Sequence, residues 1–195
     1  MAVKLYMPMP FDHFKQEGDL IGRMILEYGE LEWMLCLLAG HVLDDLDTAI
    51  KALYRARGEL QRMDIADALI RQRIDDEKLR HTYEQTFAHM AACKKLRNQY
   101  AHTNWIHAGS NKLCYVAIEE VAKANERIEM DRMTLYHLDL ITVKDQARFF
   151  NEVMQNMTYL NMEVQHALGK SSVTGFHYVP NIIRPKAAAV LDVLA

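Results

Sequence analysis

The chain has 195 residues, 23 basic and 26 acidic side chains, 8 glycines and 4 prolines, with half of its residues hydrophobic. That length suits one domain with appendages, and the composition excludes a disordered chain, a disulfide scaffold and a protein that coats polyanions wholesale. So few breakers, with 12 methionines, favour helices over a sandwich or barrel. Cys36, Cys93 and Cys114 form no CxxC pair and read as reduced thiols in a reducing cytosol, not as a disulfide or zinc framework. Met1 to Pro10 lacks an apolar signal core, and the most apolar run, Leu31 to Leu43, is broken by Glu32, Gly40 and His41. We therefore expect a cytoplasmic protein with no membrane partner.

Residues 1–17 read as an extended lead-in. Asp19 is the expected N-cap of a helix reaching about Leu43, with Ile21, Met24, Ile25, Tyr28, Leu31, Leu35, Leu38 and Val42 on one stripe. Asp47 is expected to cap a short helix through Ile50, Leu53 and Tyr54, with Gly58 ending it. Leu60, Met63, Ala66, Leu69, Ile70 and Ile74 space a third helix. A fourth starts near Asp76, is stitched by Leu79, Tyr83, Phe87, Met90 and Cys93, and runs to His102 or Thr103.

Beyond His107 the period changes. His107 to Asn111 is turn chemistry, and Lys112 to Val121 alternates as a strand does, with a second strand somewhere within Arg127–Leu138. One covered and one wet face are expected for this hairpin, lying away from any chemistry. Thr142 should open a long helix, with Asp145 as an imperfect capping box and Gly169 as the residue just past its end. Residues 170–195 form a tail, read as either a last short helix or a partner-docking arm. The fold class is thus mainly all-α: an up-and-down bundle over residues 18–169, with a small β-hairpin at 112–138 inserted before the last long helix.

Charge is unevenly placed. Residues 1–50 hold 3 basic and 9 acidic side chains, residues 51–102 hold 11 and 7, and residues 103–195 hold 9 and 10. The basic middle reads either as solvated helix faces of mixed sign or as a local anion-binding face. Glu163 and His166 are the only Glu-x-x-His pair, too little for a di-metal bundle, so no metal and no cofactor are expected.

One segment concentrates chemistry: Lys94-Lys95-Leu96-Arg97-Asn98-Gln99-Tyr100-Ala101-His102-Thr103-Asn104-Trp105. Arg97 falls in phase with the apolar stripe of its helix, a position that calls for an anion or acceptors. Asn98 and His102 are four apart and share a face, so Asn98 could orient the His102 ring. Arg97 and His102 are about 140° apart around a regular helix and about 7.5 Å apart along it. Periodicity alone therefore does not bring their heads together. His107 and Trp105, just beyond, could stack on a base or be ordinary core and loop residues.

Arg-Asn-x-x-Ala-His near the end of a long helix resembles the signature of the HEPN superfamily, an Arg with a polar neighbour, four to six positions, then His. Arg97, Asn98 and His102 match it, and the acidic-aromatic segment Gly29-Glu30-Leu31-Glu32-Trp33 also looks similar to such proteins. The resemblance implies metal-independent RNA cleavage by 2′-hydroxyl attack, often in toxin–antitoxin or phage-defence systems. It implies a homodimer in which two motifs line one cleft, and an antitoxin or nucleotidyltransferase as a further partner. On it Arg97, His102 and Asn98 are the candidate catalytic residues, with Lys94, Lys95 and His107 as candidate substrate-binding residues. Some HEPN proteins are non-catalytic, so an RNA- or protein-binding adaptor is the alternative.

Overall fold

A computed structural model describes residues 9–107, 112–123, 133–173 and 175–190. The chain is mainly helical, and a small antiparallel sheet accompanies the helices. The helices are α1 (Pro10–His13), α2 (Lys15–Leu43), α3 (Leu46–Arg55), α4 (Glu59–Arg71), α5 (Glu77–Ala101), α6 (Ile118–Ala122) and α7 (Leu140–Ala167). The strands are β1 (Asn104–His107), β2 (Leu113–Val116), β3 (Tyr136–Leu138) and β4 (Ala189–Val190), hydrogen-bonded in that order. By contacts the described residues fall into two units. One lies within residues 1–26, 94–149 and 183–195, the other within 27–93 and 150–182.

The caps correct several expectations. Residues 10–13 and 15–17 are helical rather than extended, and Asp19 lies inside α2, paired with Arg23 one turn on. The acid that caps α3 is Asp45, not Asp47: it accepts from the Thr48 N–H at 3.0 Å. Asp47 instead pairs with Lys51 along the helix. Gly58 does not end α3, whose C-cap is Ala56; it is the N-cap of α4. α5 starts near Asp76 as expected, and Asp76 caps it, accepting from the Leu79 N–H at 2.7 Å. Asp139, rather than Thr142, opens α7, accepting from the Thr142 N–H at 2.7 Å. Asp44, Asp45 and Asp47 stand within a turn of one another, and spacing alone does not choose among them.

The other end of α7 follows the sequence. Gly169 has φ +68° and donates to the His166 carbonyl at 2.9 Å, while the Lys170 N–H reaches the Gln165 carbonyl at 2.8 Å. That pair of bonds is a Schellman cap, which needs a left-handed residue and therefore favours glycine.

In the unit holding residues 27–93 and 150–182, the α2 stripe Tyr28, Leu31, Leu35 and Leu38 is buried, as are Met63, Ile70, Tyr83, Met90, Phe150, Met157 and Leu160. Much of the basic middle of the chain is tied up here. Arg62 makes a two-pronged ion pair with Glu32, and Arg71 joins Asp67 and Glu84. Tyr83 also donates to Asp67 at 2.9 Å. For these arginines, neutralised helix faces are what the structure shows.

The strands differ most from expectation. β1 is a strand that the expected helix and turn leave out, and it pairs with β2 through Trp105↔Tyr115 and Ile106↔Cys114. The alternation expected over 112–121 stops at Val116, and residues 118–122 turn into α6. No wet face exists on β2: all four of its residues are buried. It lies between β1 and β3 in the sheet. Cys114 and Val116 join Ile106 and Leu135 in one cluster, while Tyr115, on the opposite face, meets Tyr100, Trp105 and Tyr136. The second expected strand is realised as β3, its register Leu113↔Leu138 to Tyr115↔Tyr136; residues 124–132 lie outside the described residues.

The tail is neither helix nor free arm where it is described. Asn156 grips Val179 with both ends of its carboxamide, 3.1 and 2.8 Å, in one unit. In the other, Gln146 donates to the Lys186 carbonyl at 3.0 Å and residues 189–190 add β4 to the sheet. These buried amides on α7 satisfy main-chain groups that a tail lying on an apolar face would leave unpaired. The three cysteines are buried thiols.

Candidate functional site

The candidate residues all fall in the unit that includes residues 94–149. α5 ends at Ala101, and the His102 N–H still makes a helical bond to the Asn98 carbonyl at 3.1 Å. Two side chains then stop the helix. Trp105 Nε1 donates to the Tyr100 carbonyl at 3.3 Å, satisfying an end group, and Thr103 Oγ1 donates to the Val116 carbonyl at 2.8 Å, fastening the turn to the end of β2. Tyr100 is buried and its hydroxyl donates to Gln146, and Gln99 donates to the Tyr115 hydroxyl. The last turn of α5 is thus held on three sides.

His102 itself points outward. Its side chain is 56% exposed, and its Nδ1 lies 3.9 Å from Glu119 Oε1 on α6. Glu119 is a residue that sequence reasoning missed, and no helical or strand spacing links positions so far apart. It also corrects the expectation that the segment 112–138 stands clear of the candidate site.

Arg97 is half-buried, and its Nη1 donates to Asn98 Oδ1 at 2.8 Å. Asn98 therefore aims its oxygen at Arg97. Beside the His102 ring stands the Glu119 carboxylate. Lys94 is half-buried and Lys95 exposed on the same turn of α5.

His107 is half-buried. Its ring lies 4.9 Å from that of His13 and edge-on to Phe14 at 5.5 Å, which docks α1 on β1. Trp105 is likewise part of an aromatic cluster, with Phe11, Tyr100 and Tyr115 each within 5.4 Å between ring centres. Of the two readings of these rings, the packed one describes the geometry.

Two phenols stand near the motif. Burial pushes the Tyr100 hydroxyl well above its ordinary range, and burial together with Tyr136 and Glu120 does the same to Tyr115. Both stay protonated at neutral pH; the Tyr100 hydroxyl donates to Gln146 and the Tyr115 hydroxyl accepts from Gln99. Among the described residues no three His, Cys, Asp or Glu side chains converge as metal ligands, and no helix is long and apolar enough to cross a membrane.

No family model, no curated protein and no solved structure matches this chain.

Proposed function

We propose that the chain is a metal-independent endoribonuclease of HEPN type, acting on RNA through the end of α5. The observation that carries the reading is the placement of Arg97, Asn98 and His102. Arg97 and Asn98 lie in the last turn of a long helix and His102 directly follows it, its imidazole exposed, with Lys94 and Lys95 one turn before.

The chemistry suits these groups. His102 removes the proton from an RNA 2′-hydroxyl. The 2′-oxygen forms a bond to the adjacent phosphorus, and the bond from phosphorus to the 5′-oxygen breaks. That oxygen takes a proton from water. The products are a 2′,3′-cyclic phosphate and a 5′-hydroxyl end. Arg97 offers a planar fork to the phosphate oxygens, with Asn98 setting the plane of that fork through the Nη1 bond. DNA lacks the nucleophile and is left intact.

The reading includes a homodimer that brings two such motifs together, with the helix ending at His102 in its interface. A toxin–antitoxin or phage-defence setting, with an antitoxin or nucleotidyltransferase as partner, belongs to the same proposal. A second reading, a non-catalytic RNA- or protein-binding adaptor, is favoured by one feature: Arg97 is half-buried and bonded to its own neighbour.

Incubating the purified chain with end-labelled RNA in excess EDTA separates the two. Cleavage leaving 2′,3′-cyclic phosphate ends, with a matched DNA strand uncut, supports the nuclease. Retention of RNA without cleavage supports the adaptor.

A further inference from the structure

The sequence offers His102 its neighbour Asn98, and the fold adds a carboxylate. We propose that Glu119 is a positioning residue for His102, holding the imidazole with its proton on Nδ1 so that Nε2 presents a lone pair outward. This rests on the ribonuclease reading above for its functional consequence, though not for its geometry.

The geometry is built by three attachments. Thr103, the residue after His102, bonds through its hydroxyl to the carbonyl of Val116, two residues before α6 begins. α6 is anchored in turn by Glu120, which accepts from the Tyr136 hydroxyl at 3.1 Å, and Tyr136 stacks on Tyr115 with ring centres 5.2 Å apart. Val121 packs against the cluster of Ile106, Cys114, Val116 and Leu135. With Glu120 and Val121 facing the sheet, Glu119 is left 69% exposed, its carboxylate 3.9 Å from His102 Nδ1. That separation is in ion-pair rather than hydrogen-bond range.

An imidazole ring has two nitrogens, and the partner of one decides the chemistry available at the other. A carboxylate only accepts hydrogen bonds at neutral pH, so it selects Nδ1–H. Nε2, on the other side of the ring, is then the basic nitrogen. When that nitrogen takes a proton, the ring becomes a cation beside Glu119. A carboxylate placed here also keeps phosphate oxygens away from Nδ1, so that RNA is met from the Nε2 side.

The test uses the full chain. Long-range proton–nitrogen correlation spectra of the histidine rings at about pH 8, where imidazoles are neutral, report the tautomer of His102 without any substrate. Glu119→Gln is expected to move His102 from Nδ1–H toward Nε2–H, the form an imidazole prefers in water. Glu119→Asp, which keeps the charge, is expected to retain part of the Nδ1–H population. In RNA cleavage, Glu119→Gln should lower kcat about two- to fivefold, the range an exposed ion pair supports, with KM unchanged. A His102 spectrum identical in wild type and Glu119→Gln would overturn the proposal. A tautomer change in a protein that never cleaves RNA would support the pairing while overturning the ribonuclease reading.

Discussion

Arg97 donates from Nη1 to the side-chain oxygen of Asn98, its immediate neighbour, at 2.8 Å. Adjacent residues on a helix point about 100° apart, so this bond requires the guanidinium to fold back across the helix surface. It fixes the plane of the Arg97 fork and ties the Asn98 side-chain oxygen to the arginine. Loss of Asn98 should therefore act through Arg97. Asn98→Ala is expected to slow RNA cleavage, and to add little on an Arg97→Ala background, where a double-mutant cycle reads the coupling. Arg97→Lys should recover only part of the activity, because an ammonium has no planar fork.

Gly40 sets how closely α3 approaches α2. A Cβ there would lie 2.8 Å from Leu46 Cδ1 and 3.0 Å from Leu46 Cα. The side-chain carbon could move, but the backbone carbon could not without shifting the start of α3. Gly40→Ala should therefore destabilise the protein by about 1–3 kcal/mol, even though alanine is the better helix former by about 1 kcal/mol. Urea denaturation followed by circular dichroism measures this.

The Arg62–Glu32 pair is mostly covered, with side-chain exposures of 20% and 14%. Both carboxylate oxygens are used, and Arg62 also donates to the Ala56 carbonyl. Glu32→Ala leaves a largely covered guanidinium without its carboxylate and should cost about 1–3 kcal/mol. Removing both partners should cost less than the sum of the single changes.

Acid should weaken the fold through two histidines. Burial, then the charge of Lys170, lowers the His41 pKa below its ordinary 6.5; burial, then Lys112, lowers that of His137. Below about pH 6.5 the unfolded chain binds protons that the folded one resists. Stability from these groups is therefore full above that pH and is lost as the pH falls toward the folded-state values. The thermal midpoint should drop between about pH 7 and 5, and His41→Gln or His137→Gln should each flatten the fall.

The helices were legible because their apolar spacing is long and regular: the stripe from Ile21 to Leu38 is buried at Ile21, Met24, Tyr28, Leu31, Leu35 and Leu38. Gly169 was legible because a left-handed position leaves few residue choices. The sheet was half legible. Leu113 to Val116 alternates in hydrophobic size, but β1 is four residues long and opens two residues past a helix, where composition alone does not mark a strand. β4 is placed by Tyr136 and His137, more than fifty positions earlier, and local pattern carries no sign of that. The motif residues could be listed from the sequence, whereas their partners could not. Glu119 reaches His102 only because Thr103 and Tyr136 fasten α6 where they do.

The most direct measurement of the central claim is the rate of RNA cleavage in EDTA by wild type and His102→Ala, with folding verified by circular dichroism. His102→Ala is expected to lower the rate by about 10²–10⁴ while RNA affinity stays near that of wild type. Cleavage that survives His102→Ala, or that EDTA abolishes in the wild type, would contradict metal-independent catalysis by this histidine.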